Sequence, residues 1–404
     1  MIIVLHNYIC PNMIKLPGKY RMVPLRLSRY FNEFFDNEKA AGMVLFAVTI
    51  VSLTLANSPL KEDYTAFWQM PLGSHTLVQW INDGLMAIFF LLIGLELERE
   101  VYEGELSNLK SASLPFFGAL GGMMFPALIY VLFNLGASTI GGSGIPTATD
   151  IAFAVGLLAI LGNKVPASLK VFLVALAIVD DLAAIIIISV FYTDSIHMIF
   201  LISALAVFAV LLVFNRMRIN NLIIYLTGGV VMWYFMLNSG VHATISGVLL
   251  AFAIPFGKNG EKSPSYSLQH FLHKPVAFFV LPLFAIANSG FSIEGSLAET
   301  LSQPYSLGII FGLAIGKPLG IWLMSYLGVI MKLCKLPEDL EWKNILGVGL
   351  LGGIGFTMSI FIALLAFDEP AIINGSKIAV LTASVISGIG GFMLLKLTLK
   401  KPLS

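Results

Sequence analysis

The sequence predicts an all-α polytopic membrane protein of about twelve transmembrane helices, and three observations predict it. Hydrophobic residues make up 57% and charged residues only 12% of the 404 positions, against about 45–50% and about 25% in a typical soluble chain. Twelve helices of about 20 residues need roughly 240 positions, close to the number of apolar residues present. The 24 Lys and Arg balance the 23 Asp and Glu in number, yet they fall almost entirely into every second loop. Such a composition argues against a soluble enzyme. Two cysteines, Cys10 and Cys334, are too few for a disulfide scaffold or a zinc site and read as reduced bystanders.

The chain opens with MIIVL, too short for a signal-peptide core, followed by a mixed stretch with Arg21, Arg26, Arg29 and Lys39. Residues 1–38 therefore read as a cytoplasmic segment with no cleaved signal, and Met22 is an alternative start. LSRYFNEFF at 27–35 suits a helix on the membrane surface as well as it suits a poorly ordered tail. Residues 39–395 form the transporter domain and 396–404 a cytoplasmic tail. Apolar windows place spans near 39–57, 77–97, 112–134, 138–161, 168–191, 197–214, 220–238, 241–256, 274–292, 306–331, 344–366 and 372–395. Positive charges gather before span 1, in loops 2/3 (Arg99, Lys110), 4/5 (Lys164, Lys170), 6/7 (Arg216, Arg218), 8/9 (Lys258, Lys262, Lys274) and 10/11 (Lys332, Lys335, Lys343), and in the tail (Lys396, Lys400, Lys401). Only Lys61, Lys317 and Lys377 lie elsewhere. By the positive-inside rule the rich side is the cytoplasm and both termini are in it.

Two spans are interrupted. The fourth carries GASTIGGSGIPTATD and the eleventh LGVGLLGGIGFTMS, where each Gly weakens a helix by about 1 kcal/mol and Pro by about 3. Close packing through small residues is one reading of either segment. Unwound backbone in a membrane otherwise requires burial in protein or a watery cavity. Span 4 is the middle of spans 3–5 and span 11 the middle of spans 10–12, and the two triplets run oppositely through the membrane. Paired breaks in inverted repeats point to a midplane substrate site and alternating access.

Each ionisable side chain at span depth costs at least about 2.5–3.5 kcal/mol and needs a reason to be there. Asp180 and Asp181 are adjacent at the centre of span 5 in VALAIVDDLAAIIII. Desolvation and mutual repulsion disfavour their doubly ionised form, and their hard oxygens suit a small alkali cation. Competition between proton and cation is the natural chemistry of such a pair; the lesser alternative is that one Asp merely caps or pairs for stability. Asp150 lies in PTATD at the break of span 4 beside Thr147 and Thr149, whose hydroxyls are further cation ligands. Its other reading is compensation of a half-helix N-terminus. Lys317 in AIGKPLG of span 10 compensates half-helix C-termini, pairs with Asp180, or carries a proton, since burial disfavours its ammonium. Glu96 and Glu100 lie on one helical face in GLELERE beside Glu98 and Arg99. His270 and His273 lie in loop 8/9, and histidine titrates near neutrality. Both clusters also read as an ordinary charged membrane border. His242 in SGVHATISG reads as a buried satisfied histidine or as a sensor. Asp83 in INDGL is ambiguous.

These residues carry a resemblance. INDGLMAIFFLLIGLELERE, TATDIAFAVG, VALAIVDDLAAIIIISVFYT, SGVHATISG, LPLFAIANSG, IGKPLGIW and LGGIGFTMSIFIA, in this order from about residue 30 onward, resemble the NhaA-type sodium/proton antiporters of bacterial inner membranes. NhaA is itself a standard example of the inverted-repeat architecture, so that part of the fold rests on the resemblance. The span count, charge asymmetry and paired breaks are read from the residues. The resemblance implies that Asp180 and Asp181 are the cation- and proton-binding pair, Asp181 the more essential, with Thr149 a further candidate ligand for Na⁺ or Li⁺. It implies that Asp150 and Thr149 belong to the unwound crossing of helix 4, and that Lys317 balances charge there and pairs with Asp180. Glu96, Glu100, His242, His270 and His273 match positions implicated in pH response, whereas Gln269 stands where well-known members carry an acid. The first 25 residues or so are extra, and loop 58–76 resembles the outer segment through which members dimerise.

The expected function is electrogenic, pH-regulated exchange of cytoplasmic Na⁺ or Li⁺ for external protons, in sodium and pH homeostasis. Transport rather than enzymatic catalysis is expected, with no cofactor, no organic substrate and no nucleic-acid partner; the expected partners are the bilayer and a second copy of the chain. A sodium-coupled solute symporter is the main alternative and would show a requirement for an organic co-substrate. An intramembrane aspartyl protease would instead place two aspartates on different helices and have no midplane lysine.

Overall fold

A computed structural model describes residues 29–104, 107, 109–192, 196–257, 263–291 and 296–399. Cys10, Met22, Lys258, Lys262, Lys400 and Lys401 lie outside the described residues. Helix α1 (Arg29–Ala56) runs without interruption through the first span, so residues 29–38 continue that helix. After a short α2 (Lys61–Trp68) the chain makes an antiparallel hairpin of β1 (Pro71–Leu72) and β2 (His75–Thr76). Among the described residues these are the only strands in an otherwise helical chain. Pro71 and Gly73, the latter at φ +72°, favour a turn over a helix there.

Each predicted span contains helix, and local chemistry sets the ends. Helix α3 (Leu77–Tyr102) starts at a capping box in which Thr76 and Gln79 bond reciprocally. Helix α4 (Leu109–Phe133) carries Pro115 and Pro126 inside it. The fourth span is a 3₁₀ leg, Ser138–Thr147, then extended backbone, then α5 (Ile151–Ile160). Helices α6 (Ala167–Phe191), α7 (Met198–Arg216) and α8 (Leu222–Leu237) follow. The window at 241–256 becomes only α9 (Ile245–Ala253). Its first residues are spent on a turn in which Gly240 has φ +83° and the Ser239 hydroxyl accepts the Val241 N–H. Then come α10 (Pro264–Asn288), α11 (Leu297–Ser302) and α12 (Pro304–Ile330). The eleventh span is α13 (Trp342–Gly352) and α14 (Phe356–Ala366), bent by 49° at the break, and α15 (Pro370–Thr398) closes the chain. Nine helices among the described residues are long and apolar enough to cross a membrane, ten if the bent pair counts as one span. The helices α8 and α9 fall short of the usual length.

Side chains pack into two apolar cores. The smaller joins α7, α8 and α9 to one side of α3 through Leu91, Leu95, Leu211, Met232 and Leu250. The larger holds α4, α5, α6 and α12 to α15. Within it α4 and α12 meet backbone to backbone: a Cβ on Gly121 would stand 2.0 Å from Gly320 O, so only glycine fits. The outer surface is apolar as well, with Ile199 81% and Ile223 69% exposed. In water this would be an aggregation surface; against lipid tails it is the proper boundary. The candidate site lies within the larger core.

Candidate functional site

The two interrupted spans meet at their breaks. Extended residues 148–150 run beside Gly353–Gly355, and the Asp150 N–H donates to Ile354 O at 2.7 Å. Asp150 is the N-cap of α5, where its Oδ1 accepts the Phe153 N–H at 3.2 Å. Its Oδ2 accepts the Thr357 N–H at 3.0 Å and the Thr357 hydroxyl, both at the start of α14. One buried carboxylate thus serves the positive ends of two half-helices, where a negative charge is stabilising. One of the opposite ends has a cation: Lys317, fully buried, donates from Nζ to Thr147 O, the last carbonyl of the 3₁₀ leg. A π-helical turn at Gly312–Gly316 immediately precedes this lysine in α12.

Asp180 and Asp181 sit in the middle of α6, 1% and 2% exposed, and their surroundings differ. Asp180 Oδ2 lies 2.8 Å from Lys317 Nζ and 2.6 Å from Thr149 Oγ1. Thr149 Oγ1 also lies 2.9 Å from Gly352 O, the last carbonyl of α13. Among the described residues, Asp181 makes no hydrogen bond or ion pair, and its Oδ1 is buried without a partner. Asp180, Glu96, Asp150 and Lys317 all stand close enough to act on its charge. Two carboxylates, a threonine hydroxyl and a helix-terminal carbonyl form a hard-oxygen donor set of the kind small cations take.

The model of the family described as Na+/H+ antiporter 1 matches residues 32–395, nearly the whole chain. The chain belongs to this family. It is 62% identical over 372 residues to the Na(+)/H(+) antiporter NhaA 1 of Flavobacterium johnsoniae, covering 92% of this chain and 98% of that one. It is 59% identical over 376 residues to the Na(+)/H(+) antiporter NhaA of Flavobacterium psychrophilum (93% and 98%). Against that of Cytophaga hutchinsonii it is 56% identical over 380 residues (94% and 98%). All three relatives are named as antiporters, which are transporters and not enzymes in the usual sense. The chain is a multi-pass membrane protein.

In this member of the Na+/H+ antiporter 1 family the charged end of α3 meets the start of α10. Glu96 Oε1 lies 3.8 Å from His273 Nδ1, and Glu100 pairs with Arg99 at 3.0 Å. His270 is exposed and stacks on Tyr266, with ring centroids 6.5 Å apart. His242 bonds the Tyr192 carbonyl. The structure thus brings Glu96 and His273 together. Glu98, noted in the sequence only as a neighbour, is 5% exposed and accepts the Ser265 hydroxyl at 2.8 Å. Thr357 is the larger omission. It lies inside the quoted motif LGGIGFTMS, and the one available signal was a hydroxyl two residues past the glycine break.

Asp150→Ala is expected to remove the acceptor for three donors at once. A cap loss of about 1 kcal/mol and about 1–3 kcal/mol for each buried donor left unpaired sum to at least about 3 kcal/mol. Thr357→Val, which deletes one hydroxyl from the same network, should cost about 1–2 kcal/mol. Thermal unfolding in detergent checks the order; equal melting for Asp150→Ala and the parent protein would contradict it.

Proposed function

We propose that this chain exchanges cytoplasmic Na⁺ or Li⁺ for external protons by alternating access across a bacterial inner membrane, with twelve spans, inverted halves and cytoplasmic termini. The observation that carries the reading is the difference between two adjacent buried carboxyls: Asp180 is tied to Lys317 and Thr149, whereas Asp181 has no protein partner among the described residues. A buried carboxyl without a partner is costly as a structural element. It is the expected form of a group reserved for exchanging ligands.

In the protonated site Asp181 is neutral and tolerates its burial. Loss of its proton exposes a hard anionic oxygen beside Asp180, and a dehydrated Na⁺ or Li⁺ replaces the proton, with Thr149 Oγ1 within reach as a further ligand. Thr149 has one proton and two acceptors. With Asp180 ionised that proton serves the carboxylate; with Asp180 protonated the carboxyl donates to Thr149, whose own proton turns to Gly352 O. The state of the carboxyl is thereby passed to the break that follows α13. Return of two protons per cation moves net charge inward, and each elementary charge is worth about 2.3 kcal/mol per 100 mV, enough to help expel sodium. The Glu96–His273 pair supports a response to cytoplasmic pH, because histidine changes charge near neutrality. Exposed apolar side chains along 58–76, among them Leu60, Phe67 and Leu72, support a homodimer formed through that segment.

Everted vesicles, acid-loaded and carrying the protein, test the exchange. Addition of Na⁺ or Li⁺ is expected to release the quench of an internal pH dye, and K⁺ is not. No response between about pH 7 and 9 from correctly inserted protein would overturn the reading, and a response only with an organic co-substrate would make the chain a symporter.

A further inference from the structure

The 3₁₀ leg of the fourth span is ten residues long, where such runs seldom exceed about four because their hydrogen-bond geometry is poor. It is held instead by other elements. Tyr130, on α4 and fully buried, donates its phenol to Thr139 O at 2.7 Å. Tyr192, which ends α6, donates its phenol to Gly141 O at 2.9 Å and accepts the Gly144 N–H at 3.2 Å. Farther along, Ser359 of α14 donates to Ile145 O at 2.7 Å and Lys317 takes Thr147 O. The leg is shaped to its clamps: a Cβ on Gly142 would lie 2.4 Å from the Tyr130 hydroxyl, and one on Gly144 2.7 Å from that of Tyr192. Behind Tyr192, the ring of His242 bonds its carbonyl.

This leg precedes the site in span 4, so on the orientation proposed above it lies between Asp180 and the external side. Both carboxyls are buried, so release of an ion outward requires the leg to part from its neighbours. The inner half of the leg is held by groups of the crossing itself. Its outer half is held by two phenols from the helices on either side.

We propose that Tyr130 and Tyr192 are positioning residues whose phenols hold the 3₁₀ leg of span 4 against α4 and α6, keeping the site closed to the outside until both release. The proposal rests on the antiporter reading for the sense of outside and for the exchange itself. Tyr→Phe keeps each ring and its packing while deleting the hydroxyl. One lost bond of about 1 kcal/mol corresponds to about a five-fold shift toward the open form.

The test uses full-length protein with Cys10→Ser and Cys334→Ser and a single reporter, Ile145→Cys, at a fully buried position on the leg. A membrane-impermeant methanethiosulfonate is applied from outside to right-side-out vesicles. Tyr130→Phe is expected to speed labelling about five-fold, Tyr192→Phe, which gives up two bonds, about 30-fold, and the double variant more. The Na⁺ concentration for half-maximal exchange should rise at the cytoplasmic face and fall at the outer face, since a shifted equilibrium acts oppositely on the two. Tyr225→Phe is the control: it deletes the phenol of another buried tyrosine, which donates to Ile219 O at 2.8 Å, away from the leg. Unchanged labelling, equal acceleration by Tyr225→Phe, or weakening at both faces would overturn the proposal. Faster labelling in a protein that exchanges no cation would support the clamp while removing the antiporter reading.

Discussion

Asp181→Asn should abolish cation-driven proton release and leave the fold unharmed. The first half follows from charge. An amide has no proton to exchange in this range and no negative charge, and removing one partner of a buried charge pair costs about 3–5 kcal/mol, or at least about 100-fold in cation affinity. The second half follows from the absence of any protein partner for Asp181 among the described residues. An amide of the same shape breaks no bond there, and it relieves the repulsion between neighbouring carboxyls. Vesicle dequenching and detergent melting, made on one preparation, separate the two. Loss of exchange with an unchanged or higher melting point is the expected pair of results. A fall of several degrees would instead make Asp181 a structural carboxylate and remove the main support of the exchange mechanism.

The contrast between two adjacent aspartates could not be read from their spacing, which gave only a pair on an arc of about 100°. What makes Asp180 the tied member is Lys317 on α12 and Thr149 beyond the 3₁₀ leg, both far away along the chain. The lysine's pairing was one of three readings its burial allowed, and the structure realises two of them together, the carboxylate and the half-helix C-terminus. The breaks themselves were legible, because glycine and proline act locally on backbone conformation. Their consequences were not, since the Thr357 hydroxyl reaches Asp150 only when the two spans cross. Tyr130 and Tyr192 carry no local sequence signal for a related reason. A tyrosine near a span end reads as an interfacial anchor, and only the fold turns its hydroxyl inward onto a neighbouring backbone. At the charged end of α3, helical spacing selected Glu96 and Glu100, whereas burial selected Glu98 through its contact with Ser265.

Lys317→Met should be among the most destabilising single changes in the crossing. It preserves volume and removes the charge, leaving Asp180 buried without its cation and Thr147 O without its donor. Breaking a buried pair in this way costs about 3–5 kcal/mol, mostly through the uncompensated charge that remains. Asp180→Asn alone strands the ammonium and should cost a similar amount. The double variant Lys317→Met/Asp180→Asn has no stranded charge, so its loss should be well below the sum of the singles, with a coupling of about 2–3 kcal/mol. Recovery will be partial, because Thr147 O still lacks a donor in the double variant. Melting of the four proteins in one detergent gives the cycle, and strict additivity would mean that the pair seen at 2.8 Å contributes nothing. A further variant at the same lysine bears on proton carriage. If Lys317→Gln exchanges cations with unchanged charge per cycle, the second proton travels on the aspartate pair; if the charge per cycle falls, the ammonium carries it, and the cost of burying Lys317 is the cost of having a proton carrier at the crossing.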